Sequence, residues 1–382
     1  MRGDSKTYDA IIVGGGVVGI SIAYHLVHQK VNTLLFDRKD RGRATNAGAG
    51  ILSPETSGSD SETWINLAIK ASHYYPKLID QLQAQQAGTT GYARCGILTV
   101  AIDDDEIEHF ERTKNIVFQR KKHRGQPSDE ELHLVSSHEA QSLFPYLAPV
   151  REAIYCQRAA RVDGRLLTQA LQIASEAQGL DVLDSSVDKL LLQKGRVRGV
   201  VTKDGTFHAD KVVIAGGAWS QIYGDQLGVR IPVEPQRGQI MHFSMKNVGT
   251  DHWPIVSAFH GHYIVSWPRG HIVVGSTREI NSGFDTQPTA SGIYEVIGEA
   301  LRVAPGLAQA ELKTVRVGLR PMIKDQLPIL SRVPYIDNLY LATGHGSTGL
   351  LLGPYSGKIM SQMMLGQCIE TDIIPFAVER FM

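Results

Sequence analysis

Cysteine is scarce in this chain. Three stand in 382 residues, Cys95, Cys156 and Cys368, far apart and with no pair at metal-ligand spacing. No metal site is therefore expected, and the usage suits a reducing compartment. Long apolar runs are missing too, none approaching the roughly 20 residues of a membrane-spanning helix. No basic, apolar leader with a small-residue cleavage site precedes the first strand pattern. An excess of either charge is also absent. Lysine and arginine number 39 and the acids 39, so the overall field gives no reason to expect nucleic acid as a partner. The densest basic run, 120–124, lies in a polar stretch and is expected to be a solvated helix end or loop. Repeats and low-complexity tracts are lacking. What remains is a chain long enough for two domains, expected in the cytoplasm.

The richest stretch is 8–37. Residues 10–13 form a short apolar, β-prone run, followed at once by Gly14, Gly16 and Gly19 as G-x-G-x-x-G. A helical apolar pattern covers 20–28, and a second apolar run, 31–36, ends in Asp37. In such a βαβ unit Gly14 permits the tight turn and Gly16 lets a pyrophosphate approach the backbone. Gly19 lets helix and strand pack closely. The helix N-terminus at Val17 and Val18 offers free N–H groups and a positive dipole end. Asp37 stands where a carboxylate accepts hydrogen bonds from a ribose, and it would repel the 2′-phosphate of NADP. At this point the dinucleotide is NAD or FAD.

After Arg38 comes a loop crowded with small residues, 44–54, whose apolar Ile51 and Leu52 do not suit a flexible loop; it is expected to face the cofactor. Residues 59–86 look helical, with Trp64, Leu67, Ile69, Tyr75 and Leu78 as core candidates. A strand is expected over 96–102 and an acidic helix start over 103–108. A helix is expected to open at Ser137 within 132–147. The α/β pattern returns with a helix over 165–178 and strands over 181–184 and 187–192. Asp204-Gly205 suits a type I′ hairpin turn between 196–202 and 206–208. The run 211–217 then ends on two glycines, before Trp219. Further on, strand-like alternation covers 255–280 with a hairpin at 268–270, and 288–303 looks helical. Residues 316–321 read RVGLRP, with a turn expected over its GLRP, and 337–360 read DNLYLATGHGSTGLLLGPYSGKIM.

The opening unit, the small-residue loop, the VVIAGGAWS strand and this terminal block together resemble the flavoprotein amino-acid oxidase family, of the glycine oxidase, D-amino acid oxidase and D-amino acid dehydrogenase type. The resemblance spans essentially the whole chain, and FAD displaces NAD. It implies a Rossmann-like α/β FAD-binding domain in three segments, 1–90, 156–231 and 319–382. An α+β substrate domain on a mostly antiparallel sheet, 91–155 and 232–318, would interrupt it. It implies cofactor contacts at Thr45, Asn46, Ala47, Gly50, Ile51 and Leu52, at Val187 for the adenine, and at Ala215, Gly216 and Trp219. The terminal turn Gly344, His345, Gly346, Ser347, Thr348 and Gly349 completes the set. No cysteine lies near Arg320 or His345, so the FAD is expected to be non-covalent and the three cysteines are expected to be small apolar fillers.

The resemblance also implies oxidation of a small amino acid, with oxygen, a quinone or a dye as electron acceptor. Arg320 falls where the family holds the substrate carboxylate, and Tyr263 where a tyrosine assists; the alternative for Arg320 is a structural pair with an acid such as Asp325. Arg237 and Arg269 are next in line. His260 and His262 invite a role as bases but are expected at the surface or behind the site. Ser347 departs from glycine oxidase, which has an arginine there. That leaves open the substrate, the acceptor and the alternative of an N-methyl or imino amino acid of sarcosine or proline type. A homo-oligomer, or an FAD-binding subunit of a hetero-oligomer, also stays open.

Overall fold

A computed structural model describes residues 7–382. β1 (Thr7–Val13), α1 (Val17–His28) and β2 (Thr33–Phe36) form the expected opening unit, the strands parallel. Alternate residues of β1 enter opposite cores: Ala10 and Ile12 join one hydrophobic cluster, Ile11 and Val13 another. Burial on both faces is why the run is continuously apolar.

The chain continues through β3 (Ile51–Leu52), α2 (Glu62–Ala84), β4 (Ala93–Arg94) and β5 (Ile97–Ala101). Next come α3 (Ile107–Arg124), β6 (Leu132–Val135), α4 (Ser137–Leu143), β7 (Glu152–Cys156) and β8 (Ala160–Arg161). The α/β pattern then resumes with α5 (Gly164–Glu176), β9 (Asp181–Leu183), β10 (Lys189–Gln193), β11 (Arg196–Thr202), β12 (Gly205–Ile214) and α6 (Gly224–Leu227). Four strands follow, β13 (Glu234–Ser244), β14 (Ile255–Ala258), β15 (Tyr263–Trp267) and β16 (His271–Gly275). The chain closes with α7 (Ala290–Val303), β17 (Glu311–Met322), β18 (Ile329–Arg332), β19 (Leu339–Thr343) and α8 (Gly349–Leu365).

Two large sheets result. In the first, β9, β2, β1, β12 and β19 are parallel neighbours, flanked by antiparallel β10, β11 and β18. This is the Rossmann-like sheet, with α1, α2, α5 and α8 contributing to the cluster on one face. The second runs β17-β13-β16-β15-β14-β5-β7-β6, antiparallel except for β14 beside β5. It is the large antiparallel sheet the sequence foreshadowed. β17 belongs to it through Met322, so position 319 falls inside a strand.

Several local expectations are corrected. The helix over 137–143 is capped one residue earlier: Ser136 Oγ accepts from Glu139 N at 3.2 Å, and the Glu139 carboxylate accepts from Ser136 N at 2.8 Å. The two strands read at 206–208 and 211–217 are one, ending at Ile214, because β12 pairs with β11 early and with β1 and β19 later. Its hairpin is not type I′; neither Lys203 nor Asp204 has positive φ, and Gly205 takes φ 130° instead. Arg320 sits in a strand rather than a turn. Trp64 and Ile69 are only half-buried, and Cys368 is exposed rather than a core filler. The basic run does end a helix, but Arg120 folds inward and donates to the Ser57 and Ser59 carbonyls.

α1 and α8 touch backbone to backbone. A Cβ at Gly357 would lie 2.5 Å from Ser21 Cβ, and one at Gly353 would lie 2.9 Å from Val17. Gly357→Leu should therefore destabilise the chain by about 1–3 kcal/mol or more, as overpacking does. Urea unfolding measures it, and an unchanged midpoint would mean that the helices separate freely.

Candidate active site

Both sheets contribute walls to one cleft, enclosing about 1650 Å³ of space partly open to solvent. The opening unit builds one end. Gly14 takes φ 116°, and a Cβ there would lie 2.5 Å from the Ala215 carbonyl oxygen. Gly19 has no room for a side chain against the Gly14 carbonyl, and it does not line the cleft. Gly16 differs: a Cβ would meet only Thr45 Oγ1, at 3.5 Å, and the residue lines the cleft. The three glycines thus divide as the motif requires. α1 has no acid in its first turn, and its Val17 N–H donates to Thr45 Oγ1 at 3.1 Å. This end is electropositive and suits a phosphate.

Asp37 lines the cleft with an unforeseen partner. Arg43 Nη1 lies 2.9 Å from Asp37 Oδ2, while Arg43 Nη2 donates to the Gly15 carbonyl at 2.6 Å. Lys39 N donates to Asp37 Oδ1 at 3.2 Å. A carboxylate oxygen accepts two hydrogen bonds, so capacity remains for a ribose. Arg38 lies 5.7 Å from the centre of the Trp219 ring, and Val187, Ala215 and Gly216 line the same wall.

The small-residue loop supplies Thr45, Ala47, Gly50 and Ile51, but not Asn46 or Leu52. Leu52 belongs to the core beneath the first sheet. The crowding of small residues serves the protein as well as a ligand. A Cβ at Gly48 would lie 2.6 Å from Leu350, one at Gly50 would collide with the Val162 carbonyl, and one at Gly318 would lie 2.8 Å from Ala47. From the terminal turn, His345, Gly346, Ser347 and Gly349 line the cleft. Gly344 packs against Ile323, and the Thr348 hydroxyl donates to the His345 carbonyl at 2.9 Å.

Arg320 and Tyr263 face the cleft from the second sheet. Arg320 donates through Nη1 to Gln236 Oε1 at 3.1 Å and to the Thr277 carbonyl at 2.9 Å, and through Nη2 to Ser276 Oγ at 2.6 Å. Among the described residues no acid pairs with it, and burial pulls its pKa down. Asp325, the structural partner considered, is bound to Arg380 at 2.7 Å. The other candidates fall away. Arg237 is neutralised by Glu279 and Asp285, each at 2.6 Å, and Arg269 is exposed on its hairpin. His260 sits among Asp105, Glu106 and Glu299, and His262 lines a separate small pocket.

Sequence reasoning missed Arg43 and Arg278, which line the cleft, and two glycines that make the room. A Cβ at Gly238 would lie 2.5 Å from Arg320 Nη2, and one at Gly275 would lie 2.7 Å from Tyr263 Oη. Glycine inside a strand signals such close approach. No cysteine lines the cleft.

Residues 9–363 match the DAO model, FAD dependent oxidoreductase. The chain is similar to Uncharacterized oxidoreductase YurR of Bacillus subtilis, 38% identical over 97% of this chain and 98% of that protein. It is also similar to glycine oxidase of Pseudomonas putida, 30% identical over 97% and 98%. Iminodiacetate oxidase from Chelativorans sp. BNC1 aligns with TM-score 0.91 at 34% identity, covering 96% of this chain and 98% of that one. Glycine oxidase from Geobacillus kaustophilus aligns with TM-score 0.89 at 27% identity, covering 97% and 98%. The cleft fits the FAD that this family uses: an open Gly16, a helix N-terminus with no acid in its first turn, an acid with spare capacity and a long apolar wall.

His345 is buried, its Nε2 3.0 Å from Ser356 Oγ, and burial alone pulls its pKa from 6.5 to about 4. His25 and His242 are pulled to about 3, again chiefly by burial. The unfolded chain binds these protons near pH 6.5, whereas the folded chain refuses them until pH 4 or below. Stability is therefore complete above 6.5 and declines as pH falls toward 4. At about 1.4 kcal/mol per pH unit, His345 accounts for at most about 3 kcal/mol. Denaturation midpoints between pH 7.5 and 4.5 should fall, with a shallower slope in His345→Gln; a flat profile would contradict the neutral, buried imidazole.

Proposed function

The chain belongs to the DAO family of FAD-dependent oxidoreductases, and we propose that it oxidises the Cα–N bond of a small amino acid, glycine or a D-amino acid, to the imino acid. The observation that carries this reading is Arg320, a half-buried guanidinium facing the cleft without a carboxylate of its own. A buried charge left unpaired is costly, and a substrate carboxylate relieves it. Arginine's planar pair of donors matches a carboxylate in two-pronged fashion.

FAD, when bound, supplies the two-electron acceptor, and oxygen, a quinone or a dye takes the electrons on. The chain's own residues position the substrate. Arg320 is held by Gln236, Ser276 and the Thr277 carbonyl, so its free donors keep one direction. Gly238 and Gly275 leave room for that guanidinium and for the Tyr263 hydroxyl, which we assign as a second donor to the carboxylate. A carboxylate fixed at both points leaves only the amine and the Cα–H to be oriented. The amine must be neutral when Cα–H breaks. Neither His260 nor His262 lines the cleft, so we assign its proton to water.

An N-methyl or imino amino acid of the sarcosine or proline type is the second reading, favoured by the likeness to iminodiacetate oxidase. A third makes the chain an FAD-binding subunit of a hetero-oligomer; full activity of the isolated chain would dismiss it. We place the cofactor, bound non-covalently, in segments 1–90, 156–231 and 319–382, the substrate against 91–155 and 232–318, and the enzyme in the cytoplasm.

Arg320→Ala should lower the efficiency of flavin reduction by an amino acid by about 2–5 kcal/mol, or about thirty- to a few thousand-fold. Arg320→Lys should also fail, because an ammonium lacks the two-pronged geometry. Both variants should retain their flavin. Anaerobic rapid-mixing reduction decides it, and wild-type bleaching by either variant would return Arg320 to a structural role.

A further inference from the structure

We propose that the substrate carries two carboxylates, and that Arg278 binds the one Arg320 does not. The inference rests on the reading of Arg320 as a carboxylate clamp. Arg278 lines the same cleft, and among the described residues no acid pairs with it. The acids near it in sequence are engaged elsewhere. Glu279 is bound by Arg237 at 2.6 Å, by Gln239 Nε2 at 2.6 Å and by the Thr277 hydroxyl at 2.7 Å; Asp285 is bound by Arg237 at 2.6 Å.

Arg278 is exposed, yet its guanidinium is tethered. Its Nη1 donates to the Gly261 carbonyl at 2.6 Å, and Gly261, at φ 83°, makes room, since any Cβ there would collide with the guanidinium. The chain has seated this cation against backbone at the rim of the cleft. It stands close enough to Arg320 for its charge to disfavour that of Arg320. Two like charges facing one cleft repel each other, and neither is in contact with an acid; Glu279 acts on Arg320 only through space and is already held by Arg237. One substrate carboxylate neutralises one of them. A substrate with a carboxylate at each end of a short amine-bearing chain neutralises both and is held at two points. The chemical class is therefore an amino dicarboxylate, with a primary or secondary amine.

The test uses the flavin-loaded protein and two measurements. Anaerobic flavin reduction compares iminodiacetate and D-aspartate with sarcosine and D-alanine. Calorimetry compares the unreactive thiodiacetate with (methylthio)acetate. A dicarboxylate should exceed its monocarboxylate counterpart by about tenfold or more in both measurements. Arg278→Gln should pull both ratios toward unity, and Arg278→Lys should keep part of the preference, since a point charge suffices at an exposed rim. Ratios near unity in the wild type, or unmoved in Arg278→Gln, would overturn the proposal. Flavin loss from Arg278→Gln would overturn it too, assigning the guanidinium to the cofactor. Monocarboxylates that reduce flavin through Arg320 without any dicarboxylate preference would sink this inference alone. If no amino acid reduces the flavin and thiodiacetate does not bind, the clamp fails as well.

Discussion

Everything at the cofactor end depends on two helices meeting at backbone distance. Gly353 and Gly357 of α8 lie against Val17 and Ser21 of α1, a shared four-residue step that sets the helices side by side in the same direction. Both helices therefore begin at the cleft, α1 at Val17 and α8 at Gly349. Two positive dipole ends face one cleft. Larger residues at those glycines would separate the helices and misplace the terminal turn that carries His345 and Ser347.

The second sheet contributes charge without compensation. Its arginines fall into two kinds, and the difference is electrostatic rather than positional. Arg237 is neutralised twice over and serves the frame. Arg320 is half-buried with only neutral hydrogen-bond partners, so its positive charge is directed at whatever occupies the cleft. A structural arginine is normally given an acid, because removing an unpaired charge from water costs several kcal/mol. The chain withholds one from Arg120 and Arg161 as well, but of these three only Arg320 faces the cleft.

The sequence by itself determined the βαβ unit, because each glycine there answers a local need that no distant residue could supply. It also determined the terminal strand–turn–helix, the 268–270 hairpin, and the nomination of Arg320 and Tyr263. These rest on short-range patterns or on motif resemblance. Asn46, Leu52, Gly344 and Thr348 sit within those same motifs but outside the cleft, since a motif marks a segment and not the direction of each side chain. Gly19 supports the cleft without lining it. Only the tertiary structure decided the rest. It paired Asp37 with Arg43, gave Asp325 to Arg380, took His260 and His262 away from the cleft, and brought in Gly238, Gly275 and Arg278. Apart from the Asp37–Arg43 pair, which is local, these depend on which elements lie side by side, and strand order in a sheet assembled from distant segments is set by long-range burial that no local window contains.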